Sequence, residues 1–351
     1  MRFTAKGLHC PGMMQPHHHR VTYLVTGCAG FIGSTLVDRL LVNGHPVVGV
    51  DCLTPTYEVA VKERNLTGAI EHPGFSMRRD DLAVSDLEPL LDGVDTVFHL
   101  AGQPGVQTSW GTGFADHLER NVLATQRLME ACLATGVRRV VLASTSSVYG
   151  AVDGATTEDA PPLPLSPYGL SKLSIEYLGA LYGARGLDVV PLRFFTVYGP
   201  RQRPDMAFHR MVEAALGGPA FPLRGDGSQR RSFTFVDDVV DAVVRIAMEP
   251  GASGTVFNVG SSIATPLIDV VDLVGRLVGH PVPVEYHERP PGDPDLTHAC
   301  VDRLRDVIGW VPTTTLEDGL TEQVAYHRAT RSLKGPTISG SDFLLSGSMA
   351  T

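Results

Sequence analysis

The sequence predicts an α/β protein: a doubly wound parallel sheet followed by a smaller, irregular C-terminal lobe. Short apolar runs alternate with helix-period segments from Val21 to Phe194. A glycine-rich turn joins the first run to the first helix. After Tyr198 the rhythm gives way to Pro200, Pro204, Gly217, Gly218, Pro219 and Pro222. In order, Val21 to Thr26 reads as a buried strand, and Phe31 to Val42 has helical spacing. Pro46 to Val50, Phe75 to Arg79, Val94 to Leu100 and Arg139 to Ser144 read as strands, the last two separated by a helix from about Phe114 to Thr135. A helix from Pro167 to Arg185 leads to a sixth strand, Asp188 to Phe194. The second lobe is expected to hold helices near Asp237–Met248 and Pro266–Val278 and a strand near Val282–Tyr286.

This divides the chain into a leader (1–19), a dinucleotide-type sheet domain (20–199), a ligand lobe (200–330) and a mobile Ser/Gly/Thr-rich tail (331–351). A return segment near 233–260 is expected to rejoin the first domain. His17-His18-His19 reads as part of a solvated leader rather than a metal site.

Composition narrows the function. The 351 residues are 43% hydrophobic and 19% charged, ordinary for a globular protein with an ample core. A formal net charge of -9 argues against nucleic acid as the main partner, because phosphate backbones select basic faces. The five cysteines are scattered and form no C-x-x-C pair, so neither a zinc site nor a disulfide framework is expected and a cytoplasmic setting fits. No apolar run reaches membrane-spanning length.

Thr26-Gly27-Cys28-Ala29-Gly30-Phe31-Ile32-Gly33 stands between the first strand and the first helix, with glycines spaced G-x-x-G-x-x-G. Gly27 suits a tight turn, Gly30 allows close approach of a pyrophosphate, and Gly33 lets helix and strand pack closely. The helix start at Phe31 and Ile32 offers unpaired N–H groups and positive dipole to phosphates. Asp51 ends the second strand, 18 positions after Gly33. A carboxylate there accepts from both ribose hydroxyls and repels a 2′-phosphate, which predicts NAD rather than NADP.

Tyr168 and Lys172 are four apart, just after Pro167. On a helix they share one face, and a nearby cation favours phenolate, so Tyr168 is expected to titrate closer to neutral pH and act as general base on an alcohol.

With the glycine spacing, this Y-x-x-x-K pair resembles the extended short-chain dehydrogenase/reductase family and its Rossmann fold. The resemblance implies adenine contacts from Asp81-Leu82. It implies cofactor contacts from Leu100, Ala101 and Gly102 and a substrate contact from Gln103, all within His99-Leu100-Ala101-Gly102-Gln103, supported by Asn121. Ala143-Ser144-Thr145-Ser146-Ser147-Val148-Tyr149-Gly150 resembles the A-S-S-S-x-V-Y-G segment of nucleotide-sugar epimerases, where Thr145 holds the place of the catalytic hydroxyl. Lys172 would also hold the nicotinamide ribose. Dehydratases of the family carry acidic residues where Ser146 and Ser147 stand, and UDP-glucuronate decarboxylases carry Glu at the place of Ser147. Two serines instead suit a carboxylate that is retained.

Arg193 to Ala207 (RFFTVYGPRQRPDMA) resembles a segment of the UDP-glucuronic acid 4-epimerases. A planar guanidinium binds carboxylate bidentately, so Arg203, with Ser146, Ser147 and Thr196, is the candidate holder of a glucuronate carboxylate, and Arg201 competes for that role. The resemblance further implies Arg231 and Arg289 on a diphosphate, Asp293 on the uridine ribose, Phe221 to Leu223 near the uracil, and a homodimer through the helices at 114–135 and 167–185. The expected activity is NAD-dependent 4-epimerisation of UDP-glucuronic acid. The alternatives are UDP-glucuronate decarboxylation, UDP-glucose 4-epimerisation, and a non-catalytic NAD-sensing role.

Overall fold

The computed structural model describes residues 21–289 and 294–333. In chain order the first part comprises β1 (Thr22–Thr26), α1 (Phe31–Val42), β2 (Val47–Val50), α2 (Val59–Asn65), α3 (Thr67–Ile70), β3 (Phe75–Arg78), β4 (Val94–His99), α4 (Gly113–His117), α5 (Ala124–Thr135), β5 (Arg139–Thr145), α6 (Pro167–Gly183) and β6 (Asp188–Phe194). The remainder comprises β7 (Thr196–Tyr198), α7 (Ala207–Ala215), β8 (Phe221–Arg224), β9 (Arg230–Phe235), α8 (Val236–Met248), β10 (Phe257–Val259), β11 (Ala264–Pro266), α9 (Leu267–Val278), β12 (Val284–His287), β13 (Leu296–Thr297), α10 (Asp302–Ile308) and α11 (Leu316–Leu333).

Seven parallel strands form the main sheet in the order β10-β6-β5-β4-β1-β2-β3. Successive side chains of a strand point to opposite faces, and the cores follow that alternation. Tyr23, Val25, Phe98 and Val141 pack with Leu36, Val37 and Leu40 of α1 and with Val239, Val243 and Ile246 of α8. Leu24, Val97, Val140 and Leu142 face the other way, onto Leu128 and Met129 of α5 and Ile175 of α6. The order reverses at β1, flanked by β2 and β4, which opens the crevice at the carboxyl ends of the strands where ligands of this architecture bind.

The edge strand β10 comes from beyond residue 200 and pairs with β6 through Phe257↔Leu192, Asn258↔Arg193 and Val259↔Phe194. β7, β9, β11 and β13 form a second sheet, and β8 pairs with β12 in a third.

Three expectations differ from the structure. The helix expected over 114–135 is not uniform: Leu118–Leu123 is a π-helical stretch between α4 and α5. One extra residue per turn rotates Asn121 inward, to 1% exposure. Residues 331–333, expected in a mobile tail, belong to α11, which runs to Leu333. Phe221 and Leu223, expected beside a base, lie in β8 with their side chains buried in the core. The leader and residues 334–351 lie outside the described residues.

Candidate active site

The site grows from the ends of β1, β2, β4 and β5. β1 runs into the glycine turn, where Gly27 has φ +69° and a Cβ would stand 2.8 Å from the Ala101 nitrogen. A Cβ on Gly33 would come 2.1 Å from the Gly27 carbonyl oxygen, so this glycine permits the contact between α1 and the turn. No side chain caps α1 at Gly30, which leaves its first N–H groups for an anion. Asp51 accepts from the Ala29 N–H (3.2 Å) and the Leu53 N–H (2.8 Å), which orients its carboxylate at the end of β2.

A buried chain of hydrogen bonds holds the turn after β4. The Ala101 N–H donates to the Thr26 hydroxyl oxygen (3.1 Å), which lies 2.8 Å from His99 Nδ1. His99 Nε2 lies 2.9 Å from the Thr125 hydroxyl, which itself donates to the Asn121 carbonyl. The Thr125 oxygen therefore accepts from Nε2–H, and Nδ1 accepts from Thr26. Burial holds the His99 imidazole neutral, its pKa pulled down to about 3. Asn121 clamps the next residue: its Oδ1 accepts from the Gln103 N–H (2.7 Å), and its Nδ2 donates to the Gln103 carbonyl (3.1 Å) and to Ser171 Oγ (2.9 Å).

α6 starts at Pro167, with the Ser166 hydroxyl accepting from the Gly169 N–H at 3.1 Å. Tyr168, Lys172 and Glu176 follow at four-residue intervals. Lys172 is 6% exposed, and its Nζ donates to the Ala143 carbonyl at 3.0 Å. Burial draws its pKa down to about 8, opposed by the Glu176 carboxylate. Glu176 is paired with Arg193 (Nη2–Oε2, 2.6 Å) and accepts a short hydrogen bond from Ser144. Thr145 caps the short turn at 146–148, accepting from the Ser147 N–H at 3.2 Å and donating from its hydroxyl to Ser147 Oγ at 3.3 Å.

Tyr168 departs from the expectation. Burial raises its pKa, while the Thr145 hydroxyl and the Arg203 guanidinium lower it. Desolvation outweighs the local cation in the protein alone. A cation of the second lobe, Arg203, therefore opposes that desolvation.

These elements enclose one cleft of about 410 Å³. Its walls include Gly27, Gly30, Phe31, Ile32, Gly33, Asp51, Asp81, Leu82, Leu100, Ala101, Gly102 and Gln103, together with Thr145, Ser146, Ser147, Tyr168, Lys172, Thr196 and Arg203. Arg201 is not among them; it has φ +66° and pairs with Asp38 of α1 at 2.7 Å. Arg231 and Arg289 also lie outside these walls, but they converge on Asp295: Arg231 Nη1 donates to its carbonyl (3.3 Å) and Arg289 Nη1 to its carboxylate (2.5 Å). Asp293 lies outside the described residues.

Sequence reasoning missed the wall around Asp51 and Asp81. Lys62 is buried there, donating to Thr54 Oγ1 at 3.1 Å with its Nζ 5.0 Å from the Tyr57 ring centroid. Arg120 pairs with Asp81 at 3.6 Å. Neither belongs to a motif; only the fold brings them to the cleft. The reading that assigned no metal also passed over His209, Glu213 and His327, which lie close enough to share a cation. His327 Nδ1 lies 2.6 Å from Glu213 Oε1, and Arg331 lies 3.5 Å from Oε2.

A glycine cradle at an uncapped helix, a carboxylate closing β2, and Thr145, Tyr168 and Lys172 in one cleft define a nicotinamide-dependent protein of the short-chain dehydrogenase/reductase type. Residues 23–260 match the NAD dependent epimerase/dehydratase family, and the chain belongs to that family. A solved UDP-glucuronic acid 4-epimerase from Bacillus cereus, in complex with UDP-glucuronic acid and NAD, is 38% identical with a TM-score of 0.85, covering 88% of this chain and 100% of that one. MoeE5, solved with UDP-glucose and NAD, is 44% identical with a TM-score of 0.80, covering 89% of this chain and 99% of that one. UDP-glucose 4-epimerase of Mycolicibacterium smegmatis is 40% identical over 315 residues, 87% of this chain and 98% of its own length. No described helix is long and apolar enough to cross a membrane.

Proposed function

We propose that this protein is an NAD-dependent UDP-glucuronate 4-epimerase, interconverting UDP-glucuronic acid and UDP-galacturonic acid. The observation that carries the reading is that Arg203 lines the same cleft as Thr145, Ser146, Ser147, Tyr168 and Thr196. The Arg203 guanidinium, paired with Asp205 in the protein alone, and the hydroxyls of Ser146, Ser147 and Thr196 suit a sugar carboxylate, which would share or displace Asp205, and no carboxylate stands at 146 or 147 to repel one.

Gly27, Gly30, Gly33, Phe31, Ile32, Asp51, Asp81 and Leu82 would hold the dinucleotide, with Leu100, Ala101, Gly102 and Lys172 around its nicotinamide end. Bound NAD supplies a reversible hydride acceptor. Tyr168 takes the O4 proton, with Thr145 orienting the hydroxyl, and returns it after the 4-keto sugar has turned over. Proton transfer by a placed base contributes about 10²–10⁴-fold. Lys172 holds the ribose, and Arg203 supplies the positive charge that favours phenolate. The 4-keto sugar acid is a β-keto acid and tends to lose CO₂, so Arg203 with the serines must hold its carboxylate near the ring plane. Arg231, Arg289 and Asp293 would bind the UDP moiety.

Incubation of the purified protein with a panel of UDP-sugars, followed by NMR, tests the reading. UDP-galacturonic acid is the expected product from UDP-glucuronic acid; a 4-keto pentose or UDP-xylose as main product would make the protein a decarboxylase. UDP-glucose 4-epimerisation is the second reading, favoured by the Mycolicibacterium smegmatis relative. Preferential turnover of UDP-glucose over the acid would establish it. Leu170, Tyr177 and Leu181 on α6 and Leu118 and Leu123 on the facing helix are exposed. They would be covered by a second copy of the chain, and light scattering after size exclusion should report a dimer.

A further inference from the structure

The segment that carries Arg203 to the cleft, Gly199 to Met206, has little regular structure of its own. It enters from β7 with φ +137° at Gly199, passes through φ +66° at Arg201, and ends at α7. Arg203 itself pairs with Asp205 of the same segment (Nε–Oδ1 3.0 Å, Nη2–Oδ2 2.9 Å), and the backbone is fixed on its far side. Gln323 of α11 is fully buried, and its Oε1 accepts from the Gly199 N–H at 3.0 Å. Its Nε2 donates to Gln202 Oε1 at 3.1 Å. Gln202 is 3% exposed; its Nε2 donates to the Val197 carbonyl (3.0 Å), and its Oε1 also accepts from the His209 N–H (2.8 Å). His209 Nδ1 closes the circuit on the Gln202 carbonyl at 3.0 Å. Two primary amides thus tie β7, the loop and the start of α7 to one helix, with both ends of each amide engaged.

We propose that Gln323 is a positioning residue for Arg203, and so sets the selectivity for an acidic over a neutral sugar from outside the cleft. The inference rests on the Arg203 reading above. Leu320 and Val324, its neighbours on α11, are buried and apolar, so an apolar side chain could fill the position. The amide is there for direction: it is the partner of a buried N–H that would otherwise have none, and a half-satisfied buried network relaxes to a new arrangement. α11 is a firm base for this contact. Tyr198 donates from its hydroxyl to the Thr315 carbonyl at 3.2 Å, His327 of α11 meets Glu213 of α7 at 2.6 Å, and a Cβ on Gly319 would meet the Tyr198 oxygen at 2.4 Å. Released from Gln323, Gly199 must turn its N–H elsewhere, and Arg203, four residues on, moves with it. A displacement of about 1 Å at a charged contact is enough to cost up to about a hundredfold.

The test is Gln323→Leu beside Arg203→Ala in the full chain with NAD bound, read by calorimetric Kd values for UDP-glucuronic acid and UDP-glucose. Gln323→Leu should weaken the acid about tenfold or more and leave the neutral sugar within about twofold, a split that general loss of folded protein does not produce. Gln323→Glu keeps the acceptor for Gly199 and loses the donor to Gln202, so its Kd ratio should fall between wild type and Gln323→Leu; it also serves if the leucine variant does not fold. An unchanged ratio in both glutamine variants, with Arg203→Ala selective, would overturn the positioning role alone. An unchanged ratio in Arg203→Ala would overturn the acid-sugar reading beneath it.

Discussion

Replacing Glu176 by glutamine changes one atom at the base of the catalytic helix. In the native site both carboxylate oxygens accept: Arg193 Nε lies 3.0 Å from Oε1 and 3.2 Å from Oε2, Arg193 Nη2 lies 2.6 Å from Oε2, and Ser144 donates to Oε1. An amide offers one acceptor, so whichever way it turns, an N–H faces an N–H or O–H. Arg193 keeps at most a neutral bond to the amide oxygen, the Tyr149 ring at 4.5 Å and a long contact of 3.5 Å to the Glu158 carbonyl. Its guanidinium would remain buried without a counter-charge, which costs about 3–5 kcal/mol. Against a typical total of about 5–15 kcal/mol this is a large share. Equilibrium urea unfolding at pH 7 measures it. The same substitution removes the charge that supports the Lys172 ammonium, whose pKa already lies at about 8. That pKa must fall further, and the alkaline limb of kcat/KM should move to lower pH. A stability loss below about 1 kcal/mol, with the limb unmoved, would refute both arguments. Glu176→Leu with Arg193→Met should recover most of the loss, since an apolar pair of similar volume is often neutral relative to a buried ion pair.

Tyr168→Phe should lower kcat about 10²–10⁴-fold while the purified protein still carries NAD, checked by turnover and by nucleotide released on acid treatment. Gly33→Ala should purify depleted of NAD, because its Cβ would stand 2.1 Å from a backbone oxygen that cannot yield without moving the cradle. Stability should fall with acid between pH 7 and 5. His99 and His209 are held neutral, their pKa values down at about 3 and about 4. The unfolded chain titrates near 6.5 and binds more protons across that window, so the loss is roughly 2 kcal/mol per histidine by pH 5. Urea midpoints at the two pH values check this, and His209→Gln should remove about half of the difference.

The sheet domain was largely legible because its signals are local. α1 and β6 have the boundaries that the apolar runs Phe31 to Val42 and Asp188 to Phe194 predict. The cleft was legible where a motif places several residues on one turn, as in the glycine cradle, the Thr145 run and the Tyr168–Lys172 pair. Legibility ended where function depends on distant contact. Lys62 and Arg120 carry no motif and reach the cleft only through folding. The phenol showed one cation in sequence, Lys172, but not Arg203, which the fold also brings to bear on it. α11 was passed over because its buried positions include Gln323 and His327, polar residues that mask an apolar stripe. The π-helical turn at Leu118–Leu123 is invisible to a periodicity of 3.6, although it carries Asn121 to the Gln103 loop.

β10 has a consequence for synthesis on the ribosome. The sheet needs a strand translated more than sixty residues after its neighbour β6, so a nascent chain that has just released Phe194 exposes an unfinished edge. A fragment ending near Gly199 would display that edge permanently and should self-associate. Coding regions for the two lobes therefore cannot be exchanged at this boundary as independent cassettes; a viable chimera must bring Phe257–Val259 along with the strands it borders.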